Sequence, residues 1–423
     1  MPYRMKRREL LSGGVAAGVG GLAGCLEEDP GSETGDVESE VETRPTDRTI
    51  RLGVMHPLTG DLGSVGEPIK DGALLPIEQV ADEVDPEIEY EVVDTETSPS
   101  VGVQAASGLV DAGYPMVNGA SASDVTLQVA QQVLVPHRTV CCSPASTTPT
   151  ISTVNDAGLL FRTAVSDSLQ AVVLAERAAT ERNAQRAATL YVNNDYGWQL
   201  SRAFARAFRG NHDGTVTEQV SFDEGGADDE EVIEAVTAGD PDLVVVIGYP
   251  ETSAGLFDGL IDHDPGIYIL ATDGLRDSSL HEMTENTINH IRGTAPLVGG
   301  PGEDVFAELY EEQYDAEPGV FTAHAYDATA VMLLANAFAG ENDGAAVGNA
   351  MRIVTEGPGE LIGPETLAEG IDLAARGEHV EYQGASSPLG FDENGDVTDA
   401  TFEYWRFDDT AGSGITEIDR VST

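Results

Sequence analysis

Residues 139–149 read Thr139-Val140-Cys141-Cys142-Ser143-Pro144-Ala145-Ser146-Thr147-Thr148-Pro149. An apolar, β-type run ends abruptly in small hydroxyl residues, and a helix-compatible pattern resumes after Pro149. The pattern predicts a strand feeding a polar loop. Ligands of open parallel α/β sheets sit beyond the carboxyl ends of strands, where such a loop offers hydroxyls and backbone amides to an anion. Ser and Thr are also the preferred helix caps, so this loop alone leaves both readings open.

Working outward, the same grammar repeats on both sides. Upstream, Ile50–Met55 is a predicted strand, and a Gly-rich loop opens a helix through Val80 in which Pro76 should make a kink or an early turn. Glu89–Asp94 and Met116–Asn118 are further strands, with a helix over Ser100–Ala112 between them. Gly119-Ala120-Ser121 is another strand end with a hydroxyl, and a helix follows it through Val133. Downstream, after Leu159–Arg162, come a helix at Ser168–Glu181 and strands at Ala187–Val192, Val216–Ser221, Leu243–Ile247 and Gly266–Ala271. Helices separate these strands in turn. Strands alternating with helices predict α/β architecture with parallel, doubly wound sheets, and two such series predict two Rossmann-like lobes. A strand at Ala295–Val298 and a long helical region over 304–338, broken at Pro318-Gly319, come next. Ala323–Ala337 is apolar around most of its circumference, which predicts a buried helix.

Composition narrows the function. The chain has 423 residues, 41% of them hydrophobic, with 22 Lys+Arg against 74 Asp+Glu, a formal charge of -52. Such a surface repels nucleic acid, and the sequence shows no basic patch for it. Lys6 and Lys70 are the only lysines. A folded, carboxylate-covered, lysine-poor chain looks like the proteins of salt-accumulating halophiles, because the Debye length shrinks to ~3 Å near 1 M salt and screens the repulsion. Residues 1–25 read as an export signal: a basic head with adjacent Arg7 and Arg8, a short apolar core, and Leu22-Ala23-Gly24-Cys25, which resembles a lipobox with Cys25 as the lipidated residue. Residues 26–47 are acidic and almost free of apolar side chains, as expected of a disordered tether. Cys141 and Cys142 are adjacent on a strand, so a disulfide between them would be strained; they read as buried thiols.

No catalytic or metal motif emerges. Gly119-Ala120-Ser121-Ala122-Ser123 lacks the last Gly of a nucleophile elbow, and the sequence offers Ser121 no evident His partner. The eight His residues show no HxH or HExxH spacing. Asp392, Asn394 and Asp396 mimic the start of an EF-hand, with Glu403 at its twelfth place. Val397 occupies the position that needs Gly, so Asn394-Gly395 reads as a hairpin turn. The sequence reading therefore expects no enzyme, cofactor or metal site.

The pieces GVMHPLTGDLGSVG, CCSPASTTP, FRTAVSD with Gln170, NNDYGWQLSRAF, VVVIGYPET, ILATDG, AHAYDATAVMLLA and GFDENGDVTDATFEYW run in one order from about Thr49 to near the C-terminus. Together the chain resembles the leucine/isoleucine/valine-binding family, the type I periplasmic binding fold that serves amino-acid and amide ABC importers. The resemblance implies two lobes joined by three crossover strands: residues 48–163 plus 295–388 for lobe one, 164–294 plus 389–423 for lobe two. It places a ligand carboxylate against Ser121 and the Ser146 and Thr147 hydroxyls and amides. The ammonium goes to the Ala145 carbonyl and Asp273, while Tyr196 and Tyr249 close over the ligand. Val65 stands where an aromatic often sits, and Asp273 is one methylene shorter than the Glu of some members. The expected protein is lipid-anchored on the outer face of the cytoplasmic membrane, binds an amino acid or amide, and hands it to a membrane permease. A ligand-sensing receptor, or an amide- or urea-binding protein of the same fold, is the alternative.

Overall fold

The computed structural model describes residues 48–181, 183–224, 229–398 and 400–422; the export segment, Cys25 and the acidic stretch before Arg48 lie outside the described residues. Fourteen strands are present among them. The first sheet consists of β1 (Thr49–His56), β2 (Glu87–Asp94), β3 (Met116–Gly119), β4 (Val140–Ser143) and β5 (Leu160–Arg162), in the order β2-β1-β3-β4-β5. All its pairings are parallel. β3, β4 and β5 are buried throughout, whereas β2, at the sheet edge, exposes Glu87, Glu89 and Glu91 together with Tyr90.

The second sheet holds β6 (Arg186–Val192), β7 (Thr215–Phe222), β8 (Leu243–Ile247), β9 (Tyr268–Ala271) and β10 (Arg292–Pro296). The smaller β11 (Glu360–Ile362) and β12 (Val380–Tyr382) pair with each other, and β13 (Thr401–Phe407) and β14 (Ile415–Ser422) join the second sheet. Its order is β14-β13-β10-β9-β8-β6-β7. The inner strands are parallel; β13 and β14 add on antiparallel. β8 is an unbroken, fully buried LVVVI run, so no alternation of polar and apolar residues marks it.

Each sheet reverses its winding once, between β1 and β3 in the first and between β6 and β8 in the second. A crevice opens at the carboxyl ends of the strands at such switch points. Both crevices contribute to the cavity described below.

Several local expectations are revised. The helix Gly63–Val80 runs unbroken through Pro68 and Pro76. The helix after Ser121 is α-helical only over Ser123–Val129 and widens into a π-helical turn at Ala130–Leu134. The strand expected at Ala295–Val298 is β10, which starts at Arg292 and belongs to the second sheet through Pro296. Residues 391–397, assigned from sequence to the second lobe, lie against the first sheet instead. Arg162 donates its amide to Gly395 O at 2.9 Å and its Nε to Asp396 Oδ1 at 2.6 Å, and Phe161 meets Phe391 edge-on at 5.2 Å. The last connection between the sheets therefore falls after Val397. The turn at Asn394-Gly395 has Gly395 at φ +78°. Asp396 is committed to Arg162 and Glu403 to Arg276, which dissolves the EF-hand likeness.

Helix Thr322–Ala339 is buried along nearly its whole length and packs across helix Gly63–Val80. At its core Asp327 accepts hydrogen bonds from the Tyr382 hydroxyl, the Ala385 and Ser386 amides and the Ser386 hydroxyl, so the buried carboxylate is fully satisfied. Cys141 and Cys142 are buried free thiols. Among the described residues no helix is long and apolar enough to cross a membrane.

Candidate ligand-binding site

Six of the eight ligand-site residues expected from sequence line one cavity between the two sheets: Val65, Ser121, Ala145, Tyr196, Tyr249 and Asp273. Five others complete it: Leu62, Ile69, Ser123, Gly274 and Phe321. The cavity is nearly shut, with a volume of about 20 Å3, so a ligand the size of an amino acid fits only when its two walls move apart.

Strand ends supply the polar side chains. β3 ends in Gly119 at φ +136°, and a Cβ there would stand 2.1 Å from Met55 O, so only glycine lets the chain turn into Ala120-Ser121. Ser121 Oγ then lies 2.9 Å from Nδ1 of His56, the last residue of β1. The histidine partner that sequence did not reveal therefore exists. Burial pushes the His56 imidazole down to about 3, with the Asn118 side chain opposing. An imidazole that weakly basic is a poor general base, and its contact holds the Ser121 hydroxyl in place.

The loop after β4 departs most from expectation. The Ser146 hydroxyl lies 2.8 Å from Thr126 Oγ1 and 3.0 Å from Ser121 O, and its amide donates to Ser143 Oγ at 3.0 Å. Ser143 Oγ in turn donates to Ala120 O at 2.5 Å. Both Ser146 donors are thus spent on locking two strand-end loops together and do not face the cavity. Thr147 lies outside the cavity lining too; its Oγ1 is buried without a partner among the described residues. Arg162, wholly buried, clamps the loop from behind through Ser146 O and Thr148 O.

From the second sheet, Tyr196 and Tyr249 stack with centroids 5.8 Å apart. The Tyr196 hydroxyl bonds Thr272 Oγ1 at 2.8 Å and donates to Asp273 Oδ1 at 3.1 Å. Asn194 caps the helix that carries Tyr196 by accepting from Gly197 N, and its Nδ2 donates to the Tyr249 hydroxyl at 3.2 Å. Asp273 is almost completely buried, and burial raises its carboxyl above the usual range.

A second carboxylate went unnoticed in the sequence. Asp167, the first residue of helix Asp167–Glu181, is fully buried, and neither of its carboxylate oxygens has a partner among the described residues. Its amide donates to Thr147 O at 2.8 Å, a bond between the two halves of the molecule. Burial, followed by the charge of Asp273, raises its carboxyl well above the ordinary value. The Thr147 side chain and the charge of buried Arg162 pull the other way without offsetting these two effects. Further bonds tie the halves: Thr148 Oγ1 donates to Asp195 Oδ2 at 2.5 Å and Gln199 Nε2 to Thr150 Oγ1 at 3.0 Å.

The cavity is consequently polarised. Asp273, Tyr196 and Ser121 form a polar end, whereas Leu62, Val65, Ile69 and Phe321 form an aliphatic and aromatic end; no Lys or Arg lines it. Phe321 reaches the wall because it adopts φ +63° just before helix Thr322–Ala339. Among the described residues no cluster of three or more His, Cys, Asp or Glu is placed to hold a metal.

Residues 49–370 match the periplasmic binding protein family. The chain belongs to that family. This periplasmic binding protein is 29% identical over 300 residues to the chemotactic signal transduction system substrate-binding protein BasB of Halobacterium salinarum, covering 69% of this chain and 70% of the relative. It is 26% identical to the Leu/Ile/Val-binding protein BraC3 of Rhizobium johnstonii, over 85% of this chain and 92% of that one. The leucine binding protein LivK of Thermotoga maritima superposes with a TM-score of 0.75 at 22% identity, covering 88% of this chain and 99% of that structure. The fold is therefore the type I periplasmic binding fold.

Proposed function

We propose that this periplasmic binding protein is the extracytoplasmic solute-binding component of an ABC importer and takes an aliphatic, branched-chain amino acid between its two lobes. The observation that carries this reading is the polarised cavity: the buried carboxyl of Asp273 with Tyr196 and Ser121 at one end, Leu62, Val65, Ile69 and Phe321 at the other. An α-ammonium brings to Asp273 a positive charge that no Lys or Arg of the lining supplies, and favours its ionised form. With no Lys or Arg in the lining, the ligand carboxylate is left to neutral donors, Ser121, Ser123 and the amides around Ala145. The apolar end favours a leucine-like side chain over urea or a short amide, which would leave it unfilled.

The lobes are residues 48–163 with 297–397, and 164–296 with 398–423. Ligand binding closes them, and the closed form is what the permease receives. Lipid attachment at Cys25 holds the protein at the outer face of the membrane, and its acidic surface suits a salt-rich medium. A second reading, presentation of the bound ligand to a sensory partner, draws support from BasB, whose name places it in chemotactic signal transduction.

Calorimetry of the protein in molar salt against leucine, isoleucine, valine, glutamate, acetamide and urea tests the proposal. Saturable binding of the branched amino acids alone is expected. A folded protein that binds none of them, or prefers urea, contradicts it.

A further inference from the structure

Helix Asp195–His212 carries a feature at odds with the rest of this surface. Trp198, Arg202, Arg206 and Arg209 follow at intervals of four, four and three residues, which puts them on one face. All four are solvent-exposed. The Arg202 guanidinium lies over the Trp198 ring at 4.4 Å from its centroid. Arg209 donates to Val216 O at 3.3 Å. Among the described residues none of these three arginines is ion-paired, although carboxylates outnumber cations more than threefold in the chain. Most other described arginines are paired, Arg162 with Asp396 and Arg276 with Glu403 for instance. The arginines line an open groove of about 390 Å3 together with Gln219 from β7, the edge strand of the second sheet.

We propose that this arginine-lined groove is the docking site for an acidic segment of a protein partner standing in the membrane. Charge complementarity identifies the partner's chemistry. On a protein of charge -52, three cations spaced one helical turn apart and left without counter-charges match carboxylates at a similar spacing, and Arg offers each a bidentate contact. Trp198 beside them supplies the large, amphipathic contact that anchors interfaces. The groove is concave and bordered by an unpaired strand edge, which fits a protein segment better than the plane of a bilayer.

Its location couples docking to the ligand. The same helix begins with Asp195 and Tyr196: the first bonds Thr148 across the cleft and the second lines the cavity. A partner that grips the exposed face of this helix while resting on the other lobe therefore distinguishes a closed molecule from an open one. The inference rests on the proposed delivery role only in placing the partner in the membrane.

The test compares the full chain with Arg202→Glu/Arg206→Glu and Arg202→Lys/Arg206→Lys at the lowest salt that keeps them folded. Probes are a synthetic glutamate-rich peptide and, separately, phosphatidylglycerol vesicles. Trp198 fluorescence is the readout, Trp405 being buried. The peptide should perturb Trp198 in the natural chain, lose at least about tenfold in affinity with the Glu pair, and largely retain it with the Lys pair. No peptide binding, equal binding by all three chains, or binding of vesicles but not peptide overturns the proposal. Binding that emerges only when residues 26–47 are deleted would assign the groove to the chain's own acidic stretch and overturn it as well. Amino-acid affinity should be the same in all three chains. If the natural chain binds no amino acid, the transport reading falls while the peptide result stands by itself.

Discussion

Asp167 and Asp273 are two desolvated carboxyl groups with no Lys or Arg bonded to either among the described residues, which makes them the residues most sensitive to substitution. Asp273→Asn removes one partner of a buried charge pair and should weaken leucine binding by about 2 kcal/mol or more, roughly 30-fold, in calorimetry. The unliganded variant should unfold no earlier than the natural chain, since a buried like-charge conflict has been relieved. Asp124 gives a pH signature. Burial, then the charge of Glu224, pushes its carboxyl up to about 7, so the folded state holds a proton that the unfolded chain releases near its ordinary value of about 3.9. Its contribution to stability is complete below that value and is lost as pH rises toward 7. His56 and His324, pushed down to about 3 and about 4, act with opposite sign, losing stability as pH falls below about 6.5. Denaturant titrations of Asp124→Asn against the natural chain isolate the first effect: the variant should show a stability less dependent on pH between about 4 and 7. At this scale the family resemblance singled out Ser121, Tyr196, Tyr249 and Asp273, each of which follows a predicted strand end and lines the cavity. Asp167 was hidden among 74 acidic residues, and Leu62, Ile69 and Phe321 look like any core side chain in sequence. The Ser146 hydroxyl was visible, but its engagement with Thr126 depends on a contact across two loops that spacing does not encode.

The elements owe their placement to a few close backbone approaches. Gly119→Ala would force a Cβ to within 2.1 Å of Met55 O at φ +136°, against both sterics and backbone preference. It should destabilise the protein by more than about 1–3 kcal/mol and displace Ser121, with ligand affinity falling alongside the unfolding midpoint. Gly348→Ala, on a helix remote from the cavity, provides the contrast: its tightest new contact is 2.9 Å, so stability should drop while affinity is kept. The parallel strands were legible as short apolar runs ended by loop residues. β14 was not, because its exposed positions carry Glu417, Asp419 and Arg420 and resemble a solvated tail. The hairpin at residues 391–397 read as part of the second lobe because sequence order favours its neighbour β13. The ion pair between Arg162 and Asp396, 234 positions apart, draws it to the first sheet instead.

For the whole molecule, the charge of -52 predicts a stability that depends on how well salt screens it. Diluting salt from about 1 M to 0.1 M lengthens the Debye range from ~3 to ~10 Å and exposes carboxylates to one another. The thermal midpoint followed by circular dichroism should therefore fall on dilution, and a rise would show that self-repulsion is unimportant. The two-lobe plan was legible from two successive series of strands and helices. What joins them into a cleft is the facing of two switch points, a relation between sheets that only the three-dimensional structure displays. The central claim is that the cleft reads both ends of one amino acid, and a crystal structure grown with leucine measures this directly. The ammonium is expected within hydrogen-bond distance of the Asp273 carboxylate and the side chain among Leu62, Val65, Ile69 and Phe321. Leucine bound with its carboxylate toward Asp273, or outside this cleft altogether, would contradict it.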